Sequence, residues 1–436
     1  MVLLSKEDPP QQPLVRLDDE PGPSEALPAP PSFEESAGHV LIDFDQAGAL
    51  VPTGGELPPP EFTPYDAEYW VSKDKSIISH DPHLNEDGEA LYRFLLSQAN
   101  SPPNFSMHCK GTHTEQRTRL VTKTDQHGQR RTVTEHYTET VTDFDFAVDL
   151  TQHVPLYATQ WTAGDDEPAY RGLMHREVGA PGDTRKAVKE EVKDFKRWLN
   201  EREMRGLPPW ISDMYSRREG AGVPMQQRHD VLKSSWTLRQ WADDYCASSK
   251  VFKEFVYEKV IYGWYIEGLQ TAIRSAIFST HYTGDLAITF ESSLAKVIIR
   301  PNTRLARMLS NPWLKLLLIV TLVYPFIWLF QNFHSRGGGR WTVAGGAYAL
   351  KRFEPINVDV YGTMTTGNGQ VVLPHHKIVK TSSGPKLLVG MREGEWFKIW
   401  EGTIRRMVLA RKVDPTPVYM PDDVPNYAAA ILDGYD

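Results

Sequence analysis

Hydrophobic and polar positions change period several times along the 436-residue chain. In residues 88–99, Leu91, Phe94 and Leu95 fall on one helical face and predict a short amphipathic helix, stopped by Pro102-Pro103. From Asn104 the period becomes two. Phe105–Val121 and Arg131–Leu150 are rich in Thr, Val, Tyr and Phe, with Asp125-Gln126-His127-Gly128 between them. That pattern predicts a long β-hairpin with a glycine-containing turn. In its second strand Phe144, Phe146, Val148 and Leu150 alternate with Asp145, Ala147 and Asp149, so one face is expected to be buried. The outer part, rich in Thr, His and Glu, is expected to project into water.

Helical spacing returns at 184–204, where Val188, Val192, Phe195 and Leu199 form a stripe, Asp183 or Thr184 can cap, and Gly206 with Pro208-Pro209 ends the helix. A second helical block is read over Thr237–Phe278, with Phe252, Phe255, Val256, Ile266, Leu269, Ile273 and Ile277 as its stripe and a break near Ser248-Ser249. Leu286–Phe290 and Val297–Ile299 read as strands. Farther on, Gly337-Gly338-Gly339 and Gly345-Gly346 suggest a flexible connection, and short strands are expected near 356–361, 371–373 and 386–389. A last helix over 391–412 places Trp396, Ile399, Trp400, Ile404, Met407 and Val408 on one side and Lys398, Arg405, Arg406, Arg411 and Lys412 elsewhere.

One segment breaks these amphipathic patterns. Trp313–Phe330 is apolar on every side: Trp313, Leu316, Leu317, Leu318, Ile319, Val320, Leu322, Val323, Pro325, Phe326, Ile327, Trp328, Leu329 and Phe330 are interrupted by one charge, Lys315. Eighteen helical residues at about 1.5 Å each span roughly 27 Å, the hydrocarbon depth of a thin membrane. Interfacial tryptophans lie toward both ends, and Lys315 can snorkel. The segment is therefore read as transmembrane or re-entrant, with Pro325 permitting a kinked hairpin that keeps both ends on one side. Arg300, Arg304 and Arg307 before it and Arg336 and Arg340 after it balance too closely to orient a span.

Charge adds a tail to this picture. Residues 1–64 hold 12 Asp/Glu, two Lys/Arg and 13 prolines, so they carry about −10 of the net −8, and the remainder is close to neutral. Such a segment cannot offset its ordering entropy with burial and is read as a disordered, acidic, Pro-rich tail. Its apolar island Val40–Phe44 is a candidate docking element. The absence of a basic excess argues against nucleic acid as a partner. Two cysteines, Cys109 and Cys246, make no disulfide framework and favour a reducing compartment. The first ten residues lack the apolar core of a signal peptide, so the N-terminus is expected to be cytosolic and insertion to use the internal segment.

Candidate chemistry is sparse. His108, Cys109 and His113, with His127 and His136 on the hairpin, have a metal-ligand composition, but strand geometry spreads them over both faces and solvated histidines are the better reading. Asp143-Phe144-Asp145 has the spacing with which glycosyltransferases hold a metal on a nucleotide diphosphate; in an alternating strand it reads equally as an outer face. Gly337-Gly338-Gly339 lacks the rest of a phosphate loop. Pro64-Tyr65-Asp66-Ala67-Glu68 carries part of an acidic motif that docks on endoplasmic-reticulum receptors, and Asn104-Phe105-Ser106 is a glycosylation sequon that matters only on a lumenal side. Trp396 and Trp400 with Arg405 and Arg406 make a candidate membrane-surface helix, the alternative being that the two tryptophans pack this helix on the protein's own domain. No cofactor is implied.

Thr140–Thr151 and Asn302–Phe330 resemble uncharacterised fungal proteins with a single predicted membrane segment. The resemblance covers the 90–360 region and implies neither an activity nor site residues. The fold expected is α+β with one transmembrane or re-entrant helix: a tail at 1–64, a cytosolic domain at 65–300, the apolar segment at 313–330, a small α+β module at 341–412 and an acidic tail at 413–436. The function expected is that of a non-catalytic adaptor or organiser at an internal membrane such as the endoplasmic reticulum. Its partners would be the lipid bilayer and proteins bound through the N-terminal tail. The alternative is a membrane-associated enzyme, glycosyltransferase-like through Asp143 and Asp145, or a lipid-handling protein. A large apolar cavity opening beside residue 313 would favour lipid handling.

Overall fold

The structure, a computed structural model, describes residues 65–124, 130–211, 233–358, 364–366, 377–381 and 384–422. The acidic N-terminal tail with Val40–Phe44, the hairpin turn at 125–129 with His127, the strand expected at 371–373 and the end of the C-terminal tail lie outside these residues. Those described form a mixed α+β fold with eight α-helices. The helices are α1 (Gly88–Ala99), α2 (Lys189–Met204), α3 (Leu238–Ala247), α4 (Ile266–Phe278), α5 (Arg304–Ser310), α6 (Pro312–Val320), α7 (Val323–Phe333) and α8 (Glu393–Leu409).

The principal sheet contains β1 (Trp70–Val71), β2 (Ile77–Ser79), β11 (Lys296–Ile299), β9 (Phe252–Tyr262), β12 (Gly338–Ala349) and β5 (Thr159–Thr162) in that spatial order, with β6 (Tyr170–Arg171) also paired to β12. Strands are numbered along the chain: β3 (Asn104–Thr124) and β4 (Arg130–Asp149) are the long hairpin, β7 (Glu177–Val178) and β8 (Arg185–Lys186) a small pair, and β10 (Asp285–Ser293) an outer strand. The others are β13 (Lys351–Val358), β14 (Met364–Thr366), β15 (Ile378–Thr381), β16 (Gly384–Gly390) and β17 (Val413–Val418).

Two sequence expectations are corrected in the principal sheet. Residues 252–262 form its central strand, where helical periodicity had been read. Seven of the eleven residues in β9 are aromatic or β-branched, and neighbours on both sides bury Phe255, Val256 and Tyr257, so no simple two-residue alternation survives. The glycine-rich 337–349 stretch, read as a flexible connection, is mostly the buried strand β12, parallel to β9. Gly345 and Gly346 serve close packing there: a Cβ at Gly345 would overlap the Glu258 carbonyl, and one at Gly346 would crowd Tyr257 Oη at 2.8 Å. The expected boundary between a 65–300 domain and a 341–412 module therefore does not follow the sheets, since β12 pairs directly with β9.

The hairpin matches its sequence signal. β3 and β4 pair antiparallel from Ser106–Asp149 out to Thr124–Arg130, and β10 and β17 flank only its base, giving the order β10-β3-β4-β17. Phe144, Phe146, Val148 and Leu150 are buried, as the alternation requires. α8 packs on α4 and β4. The helix read from 184 begins only at Lys189, because Arg185-Lys186 pairs with Glu177-Val178 as β8, and its most buried apolar residue is Trp198.

Lys253 on β9 holds the sheet to its helical cover. Its Nζ donates to the carbonyls of Asn85, Tyr245, Cys246 and Ser248 at 2.9–3.1 Å and sits 4.7 Å from the Tyr245 ring centroid. Three of those carbonyls belong to the C-terminal end of α3, where the helix dipole and unpaired acceptors favour a cation. Lys253→Met keeps the stem and leaves these acceptors unpaired. We expect it to lower stability by about 2–4 kcal/mol, read as a reduced midpoint in urea unfolding.

Candidate functional site

The base of the hairpin gathers most of the candidate ligands. A register shift between Gly111 and Thr112 inserts Asp143 as an extra residue in β4. Its carboxylate accepts from His113 Nδ1 at 2.8 Å and from Tyr282 Oη at 3.1 Å, while His113 Nε2 lies 3.1 Å from Glu115. Asp145 is held by His108 Nε2 at 2.5 Å and Lys110 Nζ at 3.2 Å. Burial pushes the Asp145 carboxyl up, but the hydrogen bonds from Lys110 and His108 outweigh it and keep the group below its ordinary range. Both carboxylates of the Asp-Phe-Asp triplet are thus engaged by cationic or hydroxyl donors. Among the described residues no group of three His, Cys, Asp or Glu side chains is arranged to hold a metal. Cys109 is buried, where desolvation pushes its thiol up to about 12, and His136 lies far out on the hairpin opposite Thr118.

Other sequence candidates are absorbed by packing. Trp396 and Trp400 are buried, their rings stacked 6.0 Å apart, and Trp396 lies 5.8 Å from Trp264. The apolar stripe of α8 therefore faces the protein, and the membrane-surface reading of this helix is corrected; Ile399 alone of the stripe is exposed. Arg405 pairs with Glu401 at 3.5 Å and Arg406 with Asp422 at 3.3 Å. Tyr65 donates to Asp81 and Ala67 joins the core, so the Tyr-Asp-Ala segment is not a free docking peptide. Asn104 is exposed at the start of β3, opposite Ser293.

The apolar segment stands apart from all of these. No single described helix is long and apolar enough to cross a membrane; Trp313–Val320 and Val323–Phe333 form a pair bent by 100°. Of the two forms expected for 313–330, a straight span and a segment kinked by Pro325, the described residues show a bent pair and no straight span. The break falls at Thr321-Leu322, where Leu322 has φ of 58°, in the left-handed region. Pro325 supplies the reason: it has no N–H for the Thr321 carbonyl four residues earlier, and its ring would clash there in a continuous helix. At the third position of α7 proline is tolerated, because first-turn N–H groups have no helical partner.

Burial across the pair is inverted relative to a core helix. Leu318 and Ile327, each 8% exposed, are the only large apolar residues of α6 and α7 that are buried. Trp313 and Phe326 are each 71% exposed, Val320 72% and Leu322 69%; Leu316, Leu317, Ile319, Val323, Trp328 and Leu329 are also exposed, and Phe330 is half-buried against Phe252. Both ends of the excursion are anchored in one sheet. It leaves from β11 and returns through β12, and these two strands flank β9 on either side.

Beside Trp313 opens a cleft of about 1470 Å³ between residues 66–82 and 298–315. Its floor is a fixed hydrogen-bond chain. Glu254 holds Arg300 at 2.8 Å, Arg300 Nη1 donates to Ser310 Oγ at 2.9 Å, and Ser310 lies 3.0 Å from His80 Nε2. His80 Nδ1 donates to the Pro301 carbonyl at 2.8 Å, and the Ser310 hydroxyl that faces its Nε2 lies 3.0 Å from the Ala306 carbonyl, to which it donates. Burial pushes the His80 pKa down, and the neighbouring Arg300 and Arg307 add to that despite the Pro301 bond. The exposed Trp70 ring stacks on His80 at 5.0 Å. No sequence spacing announces this cleft, because its walls come from segments more than 200 residues apart; the one signal was the apolar run that ends at its rim.

No family model matches the chain, nor does any curated protein or solved structure.

The hydrogen bonds from His113 to Asp143 and Glu115 raise its pKa. Its proton is held more tightly in the folded chain than in the unfolded one. The stabilisation is complete below the ordinary histidine value near 6.5 and fades as pH rises through the raised folded value. Asp143→Asn should flatten this part of the stability-against-pH curve and lower the His113 titration midpoint in an NMR titration.

Proposed function

We propose that this chain is a one-sided membrane-docked protein, a non-catalytic organiser seated on an internal membrane through the bent pair α6–α7. The observation that carries the reading is the exposed apolar surface of an excursion whose two ends belong to one sheet. A single span would have to carry the chain to the far side after α7, yet β12 pairs with β9, which also pairs with the strand preceding the excursion. The nine residues of α6 and eleven of α7 are about 13 and 16 Å long, roughly half the ~30 Å hydrocarbon core, which suits insertion into one leaflet. So many exposed large apolar side chains are unfavourable against water at about 25 cal/mol per Å² and find their natural solvent in lipid. Arg304 and Arg336 stand exposed near the two ends, where headgroup phosphates would meet them.

We place the body on the cytosolic side of a membrane such as that of the endoplasmic reticulum, where Cys109 and Cys246 remain thiols, with protein partners recruited through the acidic tail. Lipid handling is the second reading: the cleft beside Trp313 has the size and aromatic rim for it, although its walls carry charged side chains where an apolar cavity was the expected sign. The engaged carboxylates of Asp143 and Asp145 lend no support to a glycosyltransferase reading.

The protein should float with phospholipid vesicles, and Val320→Asp with Phe326→Asp should abolish flotation while leaving the folded body intact by circular dichroism, since each buried charge costs about 2.5–3.5 kcal/mol in a membrane. Orientation is checked by cysteines introduced at Asn302 and Ser335. An impermeant maleimide should label both from the same side of sealed vesicles; labelling from opposite sides would establish a spanning segment instead.

A further inference from the structure

We propose that the cleft at the foot of α6 binds the headgroup of a zwitterionic phospholipid, with Arg307 and Lys73 holding its phosphate and the Tyr69–Trp70 wall with Asp66 and Glu68 receiving its amine. The inference rests on the one-sided docking reading, which brings the mouth of the cleft to the level of the headgroups.

The floor is already committed. Arg300 is paired with Glu254 at 2.7 Å and with Ser310, and both nitrogens of His80 have partners. Asp74 accepts from Ser72 and Ser76, and Asp81 accepts from Tyr65 and the His83 N–H. What remains uncommitted along the walls carries both signs. Among the described residues Arg307 is exposed and without an ion pair, Lys73 and Lys315 make only cation–π contacts, 5.9 Å from the Trp313 and 5.4 Å from the Tyr324 ring centroid, and Asp66 and Glu68 are exposed carboxylates without a side-chain partner. A site for a simple anion would not place free carboxylates on its wall, and a cation site would not place a free arginine there. A ligand bearing a phosphate and an amine satisfies both. Exposed aromatic faces next to carboxylates are the chemistry that receives a substituted ammonium, and a guanidinium is the chemistry that receives a phosphate.

Size and position agree with an amphipathic ligand. The cleft exceeds the roughly 300–1,000 Å³ of ordinary small-molecule sites. Trp313, on its rim, is the first exposed aromatic of the apolar pair, so a headgroup seated in the cleft leaves its acyl chains a continuous apolar path along α6. Water-sized ligands have no use for that path.

The test separates headgroup capture from membrane docking. Full-length protein is titrated with a short-chain diacyl phosphatidylcholine below its micellar concentration and followed by tryptophan fluorescence. Saturable binding is expected, weakened about tenfold or more in Arg307→Gln with Lys73→Gln and unchanged in the remote surface variant Arg274→Gln. Asp66→Asn with Glu68→Gln should weaken phosphatidylcholine while sparing a short-chain phosphatidic acid. Equal binding by wild type and the Arg307–Lys73 variant would overturn the assignment, as would binding of phosphocholine or inorganic phosphate as tightly as the lipid. Vesicle flotation of the Val320–Phe326 variant is a separate readout, so failure of docking and failure of the cleft are told apart.

Discussion

The architecture depends on the position of β9 between β11 and β12. This strand receives one neighbour from just before the apolar segment and the other from just after it, antiparallel on one side and parallel on the other. β11 and β12 therefore run antiparallel to each other on the two sides of β9, and the chain crosses past β9 from one to the other through the run of α5, α6 and α7. Most crossovers lay a helix on the sheet and bury it. This one turns its helices outward, burying only Leu318 and Ile327 of its large apolar residues. The same pairing that closes the sheet therefore decides that the apolar segment is an excursion with both feet on one body.

Lys253 extends that constraint into the rest of the molecule. Its ammonium ties β9 to the end of α3 and to Asn85, and Asn85 in turn donates to the carbonyls of Asp81 and Arg300 at 2.8 and 3.0 Å. The 81–85 turn and the end of β11 are thus fixed to each other through one polar network. Between them lies the floor of the cleft, where His80, Ser310 and Arg300 have no freedom left. Such satisfied networks hold a site rigid without contributing a ligand themselves. The chemistry available to a ligand is then confined to the walls, Arg307 and Lys73 on one hand, Tyr69 to Trp70 with Asp66 and Glu68 on the other.

Local signals are legible where one period governs a whole element. α1 with its buried Leu91, Phe94 and Leu95, the hairpin with its buried Phe144 and Phe146, and the apolar stripe of α8 all follow from spacing. Burial on two faces erases the period. β9 is covered on both sides, so its apolar positions imitate a helix; β12 is so crowded that glycine is required where glycine had suggested flexibility. In α8 spacing identified the face but could not say what it met, and the partner proved to be Trp264 and α4 rather than lipid.

By itself the sequence determined that 313–330 is apolar on every side, that the hairpin base has one buried face, and that Pro325 interrupts any helix running through it. These are properties of neighbouring residues, carried by short-range sterics and hydration. Only the tertiary structure decided that the apolar run bends at Thr321-Leu322 and returns to its own sheet, that Asp143 and Asp145 are engaged by His113 and His108, and that Trp70, His80 and Arg307 meet around one cleft. Those outcomes depend on pairings between segments up to 240 residues apart, whose free energies no local pattern encodes.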